Sequence, residues 1–273
     1  MQRRLPALLL VLPALTVILF LFVLPLALSV AGAFETETGF GLDNFVKSFA
    51  LYSSDMIFTL MIVGLSTCMI GLVSIAIGGY LTLGENPRAV AILRWLYRWP
   101  LFIPFIVVGQ VLRTFLAKNG LMNNILVGAG LITPLQAISF LDWRGIVIAF
   151  VWKQTPFVTL LLAGAMASVD RGTIEAARNL GASRARILVE ILVPQVARTL
   201  MVGLVLSFVT MMSVLSVPLM INAQSPTMLT ADIAFRINAY GDYGVANALG
   251  LISLAATACV AWFYLRQSMR DRG

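Results

Sequence analysis

The 273-residue chain contains no histidine. That removes the side chain most used as a general base near neutral pH and the commonest metal ligand. Cysteine is nearly absent: Cys68 and Cys259, each inside an apolar run, are too few for a zinc site and make no disulfide framework. They read as small buried hydrophobes. Charge is scarce as well, at 11% of residues, where soluble domains carry about 25%. Nowhere does Gly-x-x-x-x-Gly-Lys-[Ser/Thr] occur, so no phosphate-cradling loop of the common type is present.

What the chain has in abundance is apolar surface: 60% hydrophobic residues and a mean hydropathy of +0.94. A membrane span needs about 20 mostly apolar residues. Six such runs are present, at 5–31, 56–82, 95–117, 144–167, 197–221 and 243–265. The first follows Arg3-Arg4 and ends near Ala31-Gly32-Ala33, which resembles a signal-peptide cleavage site. Its apolar stretch exceeds the roughly 7–15 residues of a signal core, so it is read as a retained span. The expected fold class is therefore all-α, integral to the membrane, with six transmembrane helices.

The +7 net charge could suggest nucleic acid, but its distribution decides otherwise. With the N-terminus inside, thirteen of the 19 Lys and Arg fall on the cytoplasmic side. Lys47, Arg113, Lys118, Arg144 and Arg236 fall opposite, and Lys153 lies within a span. That asymmetry satisfies the positive-inside rule. Six spans return the basic tail 266–273 to the cytoplasm, so both termini are expected there. The division expected is an N-terminal span and external loop (1–55), a core of spans (56–265) and the tail. Outside, Asp43–Phe49 reads as a short surface amphipathic helix and Asn123–Ile132 as an interfacial or re-entrant segment. Plain connectors are the alternative for both.

Between the fourth and fifth spans lies a mostly polar, helix-forming island in a loop of about 168–196. Asp170 or Thr173 can cap a helix start, and Glu175 in the first turn suits the helix dipole. Ala176 and Ala177 are strong helix formers of minimal bulk. Gly181 fits the left-handed position that ends a helix, and Ser183 can cap a second helix running toward Pro194. Two adjacent alanines would let a partner surface approach closely, and Glu175 could give a charge-assisted contact to an arginine. An ordinary amphipathic loop helix without a partner is the other reading of these residues.

The spacing of Glu175-Ala176-Ala177, Gly181, Ile191 and Pro194 resembles the signature loop of binding-protein-dependent ABC importer permeases, with Val193 where that family usually has Leu. The likeness covers most of the chain: six spans, the motif between the fourth and fifth, and an arginine-rich tail. It implies the type I importer fold, with a coupling helix at about 170–182. It further implies a second permease subunit (a heterodimer is expected) and two cytoplasmic ATPase subunits that bind ATP and magnesium. Solute would arrive from an external binding protein, and the location would be the bacterial inner membrane. By this likeness Glu175, Ala176, Ala177 and Gly181 touch the ATPase, while Pro194 fixes the turn into the fifth span.

Polar side chains within spans are functional candidates because they are costly there. Lys153-Gln154-Thr155-Pro156 lies in the fourth span, where Lys153 could face a cavity between subunits or bond a backbone carbonyl of a neighbouring helix. In the fifth span Ser207, Thr210 and Ser213 could line a passage, or their small hydroxyls could let helices pack closely. With no histidine, and no carboxylate inside any of the six runs, no acid–base pair supports a membrane enzyme. A six-span channel would need no motor-docking loop. The compact layout, with Val151–Phe157 and Pro226-Thr227-Met228-Leu229, looks like the polyamine-type branch, which also takes phosphonates, thiamine and ferric iron. A lone Lys153 tilts the expected solute toward a phosphonate-like anion.

Overall fold

The computed structural model describes residues 4–36, 39–222 and 224–270. Nearly all of it is helix, since backbone N–H and C=O groups in lipid must be satisfied internally. In chain order the helices are α1 (Arg4–Ile18), α2 (Leu24–Phe34), α3 (Asp43–Leu83), α4 (Pro87–Leu96), α5 (Phe105–Leu116), α6 (Leu121–Gly128) and α7 (Trp143–Ala167). There follow α8 (Arg171–Asn179), α9 (Arg184–Ile187), α10 (Val193–Ser213), α11 (Ser216–Ile221), α12 (Leu229–Phe235) and α13 (Tyr243–Arg270). Wide π turns at Leu19–Val23 and Leu188–Leu192 join α1 to α2 and α9 to α10. Two short strands, β1 (Glu35–Thr36) and β2 (Gly39–Phe40), pair antiparallel with Glu35 opposite Phe40.

Among the described residues five helical stretches are long and apolar enough to cross a membrane: Val11–Phe34, Asp43–Leu83, Trp143–Ala167, Arg184–Ser213 and Tyr243–Tyr264. A sixth crossing would be the pair Pro87–Phe102 and Phe105–Gly128, bent by 107° at its break. The third run, expected over 95–117, is therefore not one rod. The ring of Pro104 drives the residue before it out of the helical region, and Ile103 is extended at φ −90° and ψ 121°. Opening the helix here leaves the carbonyls of Pro100 and Leu101 without α-helical partners, though the Ile103 N–H still reaches Pro100 O at 3.3 Å. Lys153 of α7 donates from Nζ to both, at 2.9 Å each, and stands 5.4 Å from the Phe105 ring centre.

The fifth run, expected over 197–221, also breaks early. Its helix stops at Ser213, Val214 is extended and α11 restarts at Ser216. Pro218 has no N–H for the carbonyl four residues back, that of Val214. The Thr230 hydroxyl donates to that oxygen instead, at 2.9 Å. Conversely, the surface helix expected at 43–49 is continuous with the second span. Together they make α3, 41 residues and about 60 Å long at 1.5 Å per residue. The segment expected to be interfacial, 123–132, begins within α6. Cys68 and Cys259 are exposed on the subunit, not buried, because lipid accepts small apolar side chains as readily as a core does.

Two compact units share the chain: Met1–Ser53 with Asp232–Ala256, and Ser54–Ala231 with Thr257–Gly273. In the first, Asn44 donates to the carbonyls of Ala33 and Glu35 at the open end of α2, at 3.1 and 2.8 Å. In the second, α7 forms the core, with Phe150, Val158 and Leu162 fully buried, and packs on α5 and α10. Helices α5 and α11 approach closely at Gly109, where a Cβ would stand 3.0 Å from that of Met220. Asp142 caps α7, accepting the Arg144 N–H at 2.8 Å. Burial alone would raise its carboxyl, but the bonds and charge of Arg144 outweigh that and hold it below the usual carboxylate range.

Asp55 is 2% exposed and grips the irregular segment before α12. Its Oδ1 accepts the Thr227 N–H at 2.7 Å and the Ser225 hydroxyl at 3.2 Å. One turn on, Thr59 Oγ1 accepts the Leu229 N–H at 2.9 Å. Replacing Asp55 by Ala would strand the buried Thr227 N–H, at about 1–3 kcal/mol. We expect Asp55→Ala to lower the thermal midpoint of the detergent-purified protein by several degrees, with Asp55→Asn intermediate because its amide oxygen still accepts. Equal midpoints for wild type and Asp55→Ala would show that this grip contributes nothing.

Candidate functional site

Helix α8 places Arg171, Glu175, Arg178 and Asn179 within nine residues, and both its ends are locally fixed. Asp170 Oδ1 accepts the Gly172 N–H at 3.1 Å, and the Thr173 hydroxyl donates to the other oxygen at 3.3 Å. At the far end the Ala182 N–H reaches Ala177 O at 3.0 Å and the Gly181 N–H reaches Arg178 O at 2.9 Å. This paired closure needs a left-handed residue, and Gly181 supplies it at φ +80°. Ser183 then caps α9, accepting the Arg186 N–H at 3.3 Å.

The inner face of α8 is anchored. Ile174 is buried in a cluster with Leu83, Leu162, Met166, Ile187, Leu192 and Val196, the ends of α3, α7, α9 and α10. Arg178 donates to Leu83 O at 3.4 Å, and Arg184 pairs with Glu85 just after α3. Ala176 is exposed on the outer face, and Glu175 is exposed on the flank that lines a cavity with Arg171 and Arg178. Leu180, 88% exposed, stands beside Gly181. Sequence reasoning passed over Leu180. The available signal was a lone large apolar residue at the end of a polar helix.

Ala177 is half-buried and packs against the Ile174 cluster, while Ala176 is exposed; consecutive helical residues point about 100° apart. Pro194 makes no turn into the fifth span, because Arg184–Ser213 runs on as one helix. The π turn Leu188–Leu192 sits immediately before it, with the Val193 N–H reaching back five residues to Leu188 O. A widened turn is one of the ways a helix absorbs such an irregularity.

The expected pathway residues are not brought onto one surface. Gln154, Thr155 and Ser207 are buried inside the subunit. Gln154 Nε2, Thr155 Oγ1 and Ser207 Oγ have no partner among the described residues. Gly203 of α10 faces Val158 of α7, and Gln154 and Ser207 lie four residues away along each antiparallel helix. They sit where α7 and α10 pack closely, the arrangement that one of the two readings of Ser207 describes. Thr210 and Ser213 are exposed, each bonded to a carbonyl of its own helix at 2.8 Å. Of the two roles open to Lys153, its carbonyl bonds are those of the interhelical one.

Long apolar helices around one anchored polar helix–turn–helix define a membrane permease scaffold. Residues 74–270 match the binding-protein-dependent transport system inner membrane component family; the chain belongs to it, as a permease subunit of an ABC importer in the inner membrane. It is 28% identical over 281 residues to the trehalose/maltose transport system permease protein MalF of Thermococcus litoralis, covering 94% of this chain and 92% of that one. The spermidine/putrescine transport system permease protein PotB of Salmonella typhimurium is 27% identical over 57% of this chain and 54% of its own. A chain of the bacterial alginate ABC transporter, crystallised with its alginate pentasaccharide-bound periplasmic protein, superposes with a TM-score of 0.80 at 22% identity. That match covers 99% of this chain and 96% of the other. The expected polyamine or phosphonate branch gains no support, since the relative matched along nearly the whole chain is named for disaccharides.

Gly181 gives a direct test of the loop geometry. A Cβ forced into the left-handed region costs about 1–2 kcal/mol. Gly181→Val is expected to speed amide exchange and proteolysis around 176–183 several-fold while the spans stay protected. Wild-type protection in the variant would show that the closure does not hold the turn.

Proposed function

We propose that this chain forms half of a saccharide path, driven by two ATPase subunits, one of which grips α8 on the cytoplasmic side. The observation that carries this reading is the two-faced anchoring of α8. Its inner face is locked to the ends of α3, α7, α9 and α10, while Ala176 and Leu180 stand exposed outward and Glu175 is exposed on its flank. A cleft that receives Leu180 would gain about 1.5–3 kcal/mol from burying it, and Glu175 would add a charge-assisted bond to a partner arginine. Ala176 lets that surface approach the helix backbone. Force applied to α8 passes into three spans through Ile174, so a rigid-body shift of the partner tilts the bundle. Such coupling requires the docked helix to favour different partner arrangements in the two states.

A second permease subunit, expected to differ from this one, would complete the path, and an external binding protein would deliver the solute. The saccharide assignment rests on the disaccharide name of the long-matching relative and on the chemistry of the spans. Lys153 and Arg113 both commit N–H groups to backbone carbonyls, and the six apolar runs hold no carboxylate. Thr210 and Ser213, exposed on α10, offer hydroxyls suited to a neutral polyol.

Two measurements test the two halves. In the purified complex, Glu175→Lys or Leu180→Asp should abolish solute-stimulated ATP hydrolysis with the chain still inserted; undiminished stimulation in both variants would end the docking assignment. Separately, binding protein loaded with maltose or trehalose should stimulate hydrolysis in the wild-type complex, and spermidine should not. Stimulation by spermidine alone would refute the saccharide assignment without touching the docking one.

A further inference from the structure

Beside α8 lies a cavity of about 590 Å³ walled by the end of α3, by α4, by α7 and by α8 itself. Four arginines line it: Arg94 and Arg98 from α4 and the turn after it, Arg171 and Arg178 from α8. None of the four forms an ion pair among the described residues. Arg98 Nε donates to the Tyr97 hydroxyl and Arg178 to a carbonyl, which leaves most of their N–H groups open. Glu175 is the one carboxylate in the lining. Clustered like charges of this kind repel one another unless an anion sits between them.

A second cavity shares the wall residue Tyr97 with it. This groove of about 450 Å³ is lined by α3, α4 and α7. Along α3 the groove residues Met69, Val73 and Ile77 recur every four positions, and Leu81 continues the stripe into the arginine cavity. Along α7, Trp152 and Pro156 lead in the same way to Leu160. Tyr97 and Thr155 carry the only hydroxyls in the groove lining. From Met69 to Leu81 the stripe runs about 18 Å, close to the length of a fatty acyl chain.

One more feature marks the level of this site in the membrane. Trp95 and Trp99, more than half exposed and packed edge-on at 4.3 Å, sit one position beyond Arg94 and Arg98. Paired tryptophans beside basic residues are characteristic of the membrane–water interface, and basic pockets there take anionic lipid headgroups.

We propose that cavity and groove form one binding site for an anionic glycerophospholipid. Its phosphate sits among the four guanidiniums and one acyl chain lies along the Met69–Val73–Ile77 stripe. Arginine suits the phosphate because its planar fork can offer two N–H groups to two oxygens. A free phosphate would fill the basic cavity but leave the groove empty; a lipid accounts for both, and for the tryptophans between water and hydrocarbon.

The test uses the full chain purified in mild detergent with whatever subunits accompany it. Bound phospholipid is counted by native mass spectrometry, and affinity is then read by titrating delipidated protein with phosphatidylglycerol. These readouts need no transport activity, so failure of the saccharide or docking assignments would leave them unaffected. Wild type should retain phosphatidylglycerol over phosphatidylcholine. Arg94→Gln with Arg98→Gln should weaken it at least about tenfold, the size expected for lost charge-assisted hydrogen bonds, and the corresponding Lys pair should lose less. Val73→Trp, which fills the groove and leaves every arginine in place, should also release it. Retention in both the Gln pair and Val73→Trp would overturn the site. Loss in the Gln pair alone, with displacement by inorganic phosphate, would make it a free-anion site and refute the lipid. Cysteine cross-links placing a helix of the second permease subunit along the groove would refute it too.

Discussion

Where a membrane-spanning stretch of the described residues is interrupted, backbone groups meet a solvent that cannot bond them, and that penalty shapes the architecture. Lipid offers no hydrogen bonds, so each break must be met from elsewhere in the chain. At the proline break between α4 and α5, Lys153 reaches from α7 to the carbonyls of Pro100 and Leu101. At Val214 a threonine sixteen residues on supplies the missing donor. Asp55 and Thr59 answer the irregular strand before α12, and Asn44 answers the end of α2. Asn123 donates to Ala117, Lys118 and Ile138 around α6. Polar residues that look like candidate chemistry in a greasy sequence are, in these places, the partners of backbone groups that the helices leave open.

The loop between α7 and α10 obeys a different rule, because it must be rigid without being buried. Capping at Asp170 and Ser183 and closure at Gly181 fix its ends locally, while Ile174 ties its middle to an apolar cluster drawn from four other segments. Local and tertiary constraints therefore agree, and agreement across levels is what gives a short polar helix one defined pose. Without the cluster, nine residues would be too short to hold helical form in water.

How much of this could be read beforehand depends on the range of each interaction. The caps and the left-handed glycine of α8 were legible because each involves residues within a few positions of one another. Most spans were legible because hydropathy sums over twenty residues. The broken third run was not, although Pro100 and Pro104 were visible: whether a proline kinks or opens a helix depends on a donor like Lys153, some fifty residues away. Asp55 escaped notice because it lay one residue outside an expected span, and its partners lie about 170 positions later. The inward turn of Ala177 follows from helix phase, yet only the placement of Ile174 says which phase is inward. Membrane composition also misleads on burial, as the exposed Cys68 and Cys259 show, since lipid and core select the same side chains.

The π turn at Leu188–Leu192 carries a consequence for comparing this chain with its relatives. Bonding five residues back instead of four inserts roughly one extra position into the winding, or about 100° of rotation. A relative with a regular helix there, aligned without a gap, would have its counterpart of Thr210 placed on the wrong side of the rod relative to Ile187. Identity percentages would barely register the slip, yet the inferred lining of any passage would be rotated by a quarter turn.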